Sequence, residues 1–306
     1  MTKSPISENQ FLDYGNWMDK QVEVWVKRED LLDPFVSGNK FRKLKYNIQE
    51  AKRLKHRTIL TFGGAFSNHI AATSAAAYNA GLDSIGIVRG EELALKSEAE
   101  LRSNPTLDFA MDKGMKLYFI SREDYKIKTL KAVSTLPERY YTIPEGGTNL
   151  LAVKGCGEIL QPEDSRFDFV GVAIGTGGTI SGIIDSAFDS QRILGFPALK
   201  DFSFLKEEIG RFTNSTSWEF IDGYHFGGYA KYQENLITFI NKFKAETGLL
   251  LDPIYTGKMF FGIDDLIQKN YFPKGSKILL IHTGGLQGIQ GFNQKLTKKG
   301  QTKIAL

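Results

Sequence analysis

Three times in 306 residues, a short apolar or β-branched run ends in a cluster of glycines. Residues 58–62 run into Gly63-Gly64, 167–174 into Gly175-Thr-Gly-Gly-Thr179, and 277–282 into Thr283-Gly284-Gly285. Helix-like stretches follow the first two, the alanine-rich 70–80 and the apolar 180–188. Strand, glycine turn and helix, in that order, build a parallel sheet with helices on both faces. Glycine turns that open a helix also leave backbone N–H groups free to bind an anion. The expected class is α/β, with anion-binding turns at the strand ends.

The alternation continues on both sides of these turns. Residues 84–88 and 115–120 read as further strands, and 91–113 mostly as helix that Pro105 kinks or breaks. With the first glycine turn they form one α/β unit over 41–143. A second unit over 144–306 holds the other two turns and a helix over 232–247, with Leu236, Ile237, Ile240 and Phe243 on one face. Residues 1–40 contribute one strand-like run, 22–26, which fits either unit. At roughly 100 to 200 residues per domain, the length allows two cores with a cleft between them.

Composition excludes several classes. Lys and Arg exceed Asp and Glu by 39 to 35, a net charge of +4 that is too small and dispersed for a nucleic-acid surface. One cysteine, Cys156, permits no internal disulfide and reads as a packing residue between Gly155 and Gly157; with only four histidines there is no paired zinc spacing and no metal is expected. No apolar run is long enough to span a bilayer and the first 25 residues hold no apolar leader core, so the expected location is the cytoplasm, with no membrane partner. His282 reads as a satisfied strand histidine, and the basic stretch 295–303 as solvated.

The segment Ser37-Gly-Asn-Lys40-Phe-Arg-Lys-Leu-Lys45-Tyr46 predicts a turn capped by Ser37 or Asn39 and a helix to about Leu54. Lys40, Arg42, Lys43 and Lys45 crowd the positive end of its macrodipole, where acidic residues ordinarily stabilise by about 0.3–1 kcal/mol each. A solvated basic face is one reading. The other is that neighbouring cations and the helix N-terminus lower the pKa of one lysine and make it a nucleophile or imine former. Phe62-Gly-Gly-Ala-Phe-Ser67-Asn68-His69 likewise allows two readings: Ser67 or Asn68 as a simple N-cap, or a helix start with hydroxyl, amide and imidazole groups that binds a carboxylate. The turn from Gly175 to Thr179 adds two threonine hydroxyls to its glycine backbone and suits a phosphate. It is not G-x-G-x-x-G, and no G-x-x-x-x-G-K-[ST] occurs, which weakens dinucleotide and nucleoside-triphosphate readings.

Two anion turns, an activated lysine and no metal set suit a phosphorylated cofactor that forms an imine, and pyridoxal 5'-phosphate meets that description. The stretches Lys27-Arg-Glu-Asp-Leu31, Gly38-Asn-Lys-Phe-Arg-Lys-Leu44, Gly63-Gly64 with Ser67-Asn-His69, Gly175-Thr-Gly-Gly-Thr179 and Leu251-Asp-Pro-Ile-Tyr255-Thr-Gly-Lys258 support it. Together they resemble the 1-aminocyclopropane-1-carboxylate deaminase and D-cysteine desulfhydrase family, from about residue 20 to 293. The resemblance implies a tryptophan-synthase-β-like fold (fold type II) of two three-layer α/β/α domains with open twisted sheets. Residues 41–143 would form a small domain inserted into a large one made of 1–40 and 144–306, and the protein would be a homodimer. It further implies that Lys40 carries the cofactor, that Asn68 bonds its 3′-oxygen, and that Gly175, Thr176, Gly177, Gly178 and Thr179 hold its phosphate. Ser67, Asn68 and His69 fall where a small amino-acid substrate is bound, Ser67 also as a proton relay. Tyr229 and Tyr255 fall on the two active-site tyrosines, and Tyr255, Thr256 and Thr283 border the cofactor.

Two departures bear on the reaction. Cyclopropane deaminases of this family carry Glu after the tyrosine of the Asp-Pro-x-Tyr motif and Leu in the late glycine turn; here those positions are Thr256 and Thr283. A carboxylate at the pyridine nitrogen keeps it protonated and the ring a strong electron sink, which opening an unactivated ring needs. Threonine suits β-elimination of a good leaving group such as thiolate. Phe66, where the family often has Gln, also changes the shape of the pocket. The expected activity is D-cysteine desulfhydrase-like lyase chemistry giving an α-keto acid, ammonia and sulfide. The alternatives are 1-aminocyclopropane-1-carboxylate deamination and a non-catalytic pyridoxal-phosphate binder.

Overall fold

The computed structural model describes residues 5–130, 133 and 136–306. Its strands are β1 (Asn9–Leu12), β2 (Glu23–Lys27), β3 (Thr58–Gly64), β4 (Asp83–Arg89), β5 (Met115–Ile120), β6 (Tyr141–Ile143), β7 (Phe169–Ile174), β8 (Arg192–Pro197), β9 (Trp218–Phe220) and β10 (Lys277–Ile281). The helices are α1 (Asn39–Arg53), α2 (Asn68–Asn79), α3 (Glu98–Arg102), α4 (Pro105–Asp112), α5 (Arg122–Lys126), α6 (Leu150–Cys156), α7 (Gly178–Ser186), α8 (Phe204–Gly210), α9 (Glu234–Thr247), α10 (Thr256–Gln268) and α11 (Gly288–Lys298). Two sheets result, one of six strands in the order β1-β2-β10-β7-β8-β9 and one of four in the order β5-β4-β3-β6. Apart from antiparallel β1–β2, the described pairings are parallel. The strand-like run near residue 22 joins the six-stranded sheet, with Glu23 opposite Lys277 and Lys27 opposite Ile281.

Alternation within single strands explains the layers, because successive side chains point to opposite faces. On β10, Leu280 packs with α9 and α10 residues such as Phe243, Met259 and Phe260, while Leu279 and Ile281 pack with Ile180, Ile183 and Ile184 of α7. On β3, Ile59 faces Leu44 and Ala51 of α1 and Ala72 and Ala75 of α2, and Leu60 faces Ile85, Ile87 and Tyr125. Both faces of each sheet are therefore apolar and covered, as near-continuous hydrophobic parallel strands require. Cys156 is fully buried in the α7-side core, and burial pushes its thiol up to about 11, so it packs rather than reacts.

Two local expectations change. The helix over 91–113 is a short turn, Glu91–Leu93, followed by two separate helices. Ser97 and Glu100 form a reciprocal capping box that starts α3, and Asn104 accepts from Thr106 N and Leu107 N to start α4 with Pro105 in its first turn. Of the expected kink or break, the structure shows the break, and Pro105 begins the next helix, where its missing N–H costs nothing. The cap of α1 is neither Ser37 nor Asn39 but Gly38, at φ +60° and with no side-chain cap bond. A Cβ at Gly38 would lie 2.0 Å from the Thr283 carbonyl oxygen, so only glycine allows the lysine turn to approach the end of β10.

Candidate active site

The chemistry-bearing segments meet at the C-terminal ends of parallel strands, where open α/β sheets usually bind ligands. β3 leads into Ser67 and Asn68, β7 into the Gly175–Thr179 turn, and β10 into His282, Thr283 and Gly284. The start of α1 completes the ring. Asn39 N donates to Thr283 O at 3.2 Å, and Asn39 Nδ2 donates to Thr179 Oγ1 at 2.8 Å.

The four cations at the start of α1 separate into two kinds. Arg42 is fully buried in a two-pronged pair with Glu29, Nε to Oε2 at 2.9 Å and Nη2 to Oε1 at 2.8 Å, and Lys45 pairs with Glu158 at 2.8 Å. Lys40 and Lys43 have no carboxylate in ion-pair range among the described residues. Both donate to Gly146 O, at 2.9 and 3.1 Å, and Lys43 Nζ also donates to Thr148 Oγ1 at 3.1 Å and to Thr176 Oγ1 at 3.5 Å. Burial, and then the charge of Lys43, hold the Lys40 ammonium well below the usual lysine range; burial also lowers Lys43. An amine that sheds its proton easily, beside a buried cation facing hydroxyls, lacks an electrophile and an anion. A phosphorylated aldehyde would satisfy both.

The phosphate-type turn has the features such a group requires. Gly177 caps α7 at φ +83°, Thr176 Oγ1 lies 2.6 Å from Thr148 Oγ1, and Thr179 is 5 % exposed. Tyr255 covers the turn's first residue, so that a Cβ at Gly175 would lie 3.1 Å from Tyr255 Cε1. The rings of Tyr255 and Tyr229 are 6.2 Å apart and edge-to-face. Burial raises the Tyr255 phenol well above the usual range and desolvation also raises Tyr229, although 46 % of that residue's surface is exposed, so both stay neutral hydrogen-bond donors.

The remaining predicted residues are placed as follows. Ser67 caps α2, its Oγ accepting from Ile70 N at 3.4 Å, which leaves its hydroxyl proton free for another partner. Asn68 Nδ2 donates to Gly285 O at 3.4 Å, tying the start of α2 to the turn after β10. His69 points inward, 2.8 Å from Thr61 Oγ1, and burial together with Lys40 and Lys43 holds it well below the usual imidazole range and therefore neutral. Thr283 is 8 % exposed against Gly38. The Thr256 hydroxyl is already engaged: it donates to Asp252 Oδ1 at 2.8 Å and accepts from Asp252 N at 3.0 Å. The position read as lacking a carboxylate therefore has the Asp252 carboxylate directly behind it. His282 is satisfied, with Nε2 2.8 Å from Leu250 O and Nδ1 accepting from Gly284 N.

Sequence reading named Lys43 only as one of four cations and Asp252 only within its motif, and did not single out Gly146 or Thr148. Lys43 had a legible signal, since residues three apart share a helix face and Lys43 must point where Lys40 points.

Similarity to known proteins agrees with this geometry. Residues 16–188 match the family described as "Pyridoxal-phosphate dependent enzyme". The chain belongs to that family. Pyridoxal phosphate is thus its cofactor, and the fold is that of the family's solved members. A putative 1-aminocyclopropane-1-carboxylate deaminase of Pyrococcus horikoshii is 31 % identical over 90 % of this chain and 88 % of its own. A bifunctional D-cysteine desulfhydrase/1-aminocyclopropane-1-carboxylate deaminase of Arabidopsis thaliana, mitochondrial, is 32 % identical over 88 % of this chain and 73 % of its own. The crystal structure of an ACC deaminase homologue superimposes with a TM-score of 0.78 at 30 % identity, covering 96 % of this chain and 94 % of that one. This pyridoxal-phosphate enzyme has no helix among the described residues long and apolar enough to cross a membrane.

Proposed function

We propose that the protein deaminates a small amino acid by β-elimination, as a D-cysteine desulfhydrase does, so that D-cysteine and water yield pyruvate, ammonia and hydrogen sulfide. The observation that carries the reading is the buried Lys40 amine, with no carboxylate in range among the described residues and sharing Gly146 O with Lys43, which reaches Thr176, together with a threonine and not a glutamate at position 256. Bound pyridoxal phosphate supplies an electrophilic carbon and a ring that accepts the electron pair left at Cα. Lys43 Nζ, the hydroxyls of Thr176 and Thr179 and the free N–H groups at the start of α7 hold the phosphate. Lys40 Nζ would hold the cofactor and, as a readily deprotonated amine, would take the Cα proton of the substrate. Asn68 bonds the cofactor's ring oxygen, and Ser67 with the N-terminus of α2 holds the substrate carboxylate. The neutral phenols of Tyr255 and Tyr229 would donate hydrogen bonds to the departing sulfur, which leaves as hydrosulfide and takes its proton from water. In the same proposal 41–143 is a small domain set into 1–40 plus 144–306, and the protein is a cytoplasmic homodimer, which light scattering checks.

The Asp252 carboxylate behind Thr256 favours a second reading, 1-aminocyclopropane-1-carboxylate deamination. A hydroxyl whose proton goes to Asp252 offers a lone pair, which suits a protonated ring nitrogen and a stronger electron sink. Cofactor-loaded protein offered D-cysteine, L-cysteine, D-serine and 1-aminocyclopropane-1-carboxylate separates the readings. Pyruvate and sulfide from D-cysteine are expected. 2-Oxobutanoate from the cyclopropane substrate would favour the second reading, and bound cofactor with no keto acid from any of them would leave a binding protein.

A further inference from the structure

Lys258, the last residue of the Asp252-to-Lys258 motif, has no part in the chemistry above, yet it is a lysine with 2 % of its surface exposed. Burial pulls its ammonium down to about 8 against the charge of Asp252, so this is a costly group to keep inside. Its Nζ donates to two carbonyls of one loop, His225 O and Gly228 O, both at 2.8 Å. Each carbonyl also closes a turn: His225 O accepts from Gly228 N at 3.0 Å, and Gly228 O accepts from Lys231 N at 3.1 Å. Lys258 therefore pins two successive turns, with Tyr229 inside the second.

That loop does not hold itself. Phe226 and Ala230 have φ of +52° and +54°, where side chains are disfavoured, with Gly227 and Gly228 between them at +92° and +113°. Such conformations persist only where surrounding structure over-determines them. Tyr229 itself is 46 % exposed, and its one ring contact among the described residues is Tyr255. Tyr255 lies three residues before Lys258, next to the first turn of α10, so one short segment supplies the first tyrosine directly and holds the second through its backbone.

We propose that Lys258 is the positioning residue for Tyr229, setting through the His225 and Gly228 carbonyls the loop that places this phenol beside Tyr255. The inference rests on the proposed role of the two tyrosines, and hydrogen exchange tests it without that role. In cofactor-loaded Lys258→Met, exchange at the amides of Gly228 and Lys231 should rise about tenfold or more while α10 keeps its protection. The kcat for D-cysteine should fall as it does in Tyr229→Ala, and the double variant should lose no more than either single one, because both act on one element. Gly228→Ala strains the same loop with Lys258 intact; it should reproduce the pattern and serves if the methionine variant does not fold. Unchanged exchange at Gly228 and Lys231, or losses that multiply in the double variant, would overturn the proposal. A wild-type protein inactive on every amino acid would refute the functional reading instead, and the exchange result would still decide the role of Lys258.

Discussion

Asp252 is the residue whose replacement tests the site geometry most directly. Its carboxylate is 1 % exposed and receives four donors, Ile254 N at 2.8 Å and Tyr255 N at 2.9 Å on Oδ2, Thr256 N and Thr256 Oγ1 at 2.8 Å on Oδ1. In Asp252→Asn one oxygen becomes an NH2, and either orientation of the amide sets it against backbone N–H groups. Two bonds to a charged acceptor are lost and their donors are stranded. At about 1.5–3 kcal/mol per such bond, the expected loss is ~3–6 kcal/mol, a large part of a typical stability of about 5–15 kcal/mol. Melting should drop by on the order of 10 °C in calorimetry of the purified variant. Thr256→Val removes one of the four donors and also the hydroxyl that accepts from Asp252 N, so at about 1.5–3 and 0.5–1.5 kcal/mol for the two bonds it should cost about 2–4 kcal/mol. Turnover should fall in step with Asp252→Asn, because Tyr255 and Thr256 belong to the turn this carboxylate holds. A melting temperature within about 2 °C of wild type would refute the reasoning, since it would mean the four donors find other partners.

Gly38→Ala places a Cβ against the Thr283 carbonyl at a left-handed φ, so it should lower the melting temperature and abolish cofactor retention on dialysis. Lys43→Met removes the second cause of the low Lys40 pKa. The midpoint of cofactor attachment, followed by visible absorbance against pH, should therefore move upward, and phosphate retention should weaken; a midpoint unchanged or moved down would contradict the geometry. In the same assay, borohydride should fix the cofactor to the peptide bearing Lys40 and fail to do so in Lys40→Ala.

Much of the site was legible because its parts are local. A glycine turn, an apolar alternation or a lysine three residues from another lysine is a statement about neighbours in the chain. The strands 58–62, 84–88, 115–120, 167–174 and 277–282 appear within two residues of the expected bounds, since β-branched, doubly buried runs admit little else. The break expected at Pro105 in 91–113 is present, but the start of α3 was not foreseen, because the capping box of Ser97 and Glu100 depends on side-chain geometry within a single turn.

By itself the sequence determined which segments can be strands, which turns can hold an anion, and that the lysines of α1 are anomalous at a helix start. Only the tertiary structure decided which lysines matter. Arg42 and Lys45 find carboxylates 13 and 113 residues away, whereas Lys40 and Lys43 meet Gly146 O, 106 and 103 residues away, and no counter-charge among the described residues. The same distinction placed Lys258 beneath the loop of Tyr229, on carbonyls 33 and 30 residues away. Ionisation and proton transfer depend on charges and donors within a few ångströms. Those neighbours are brought together by the packing of two sheets, which no local pattern in the chain records.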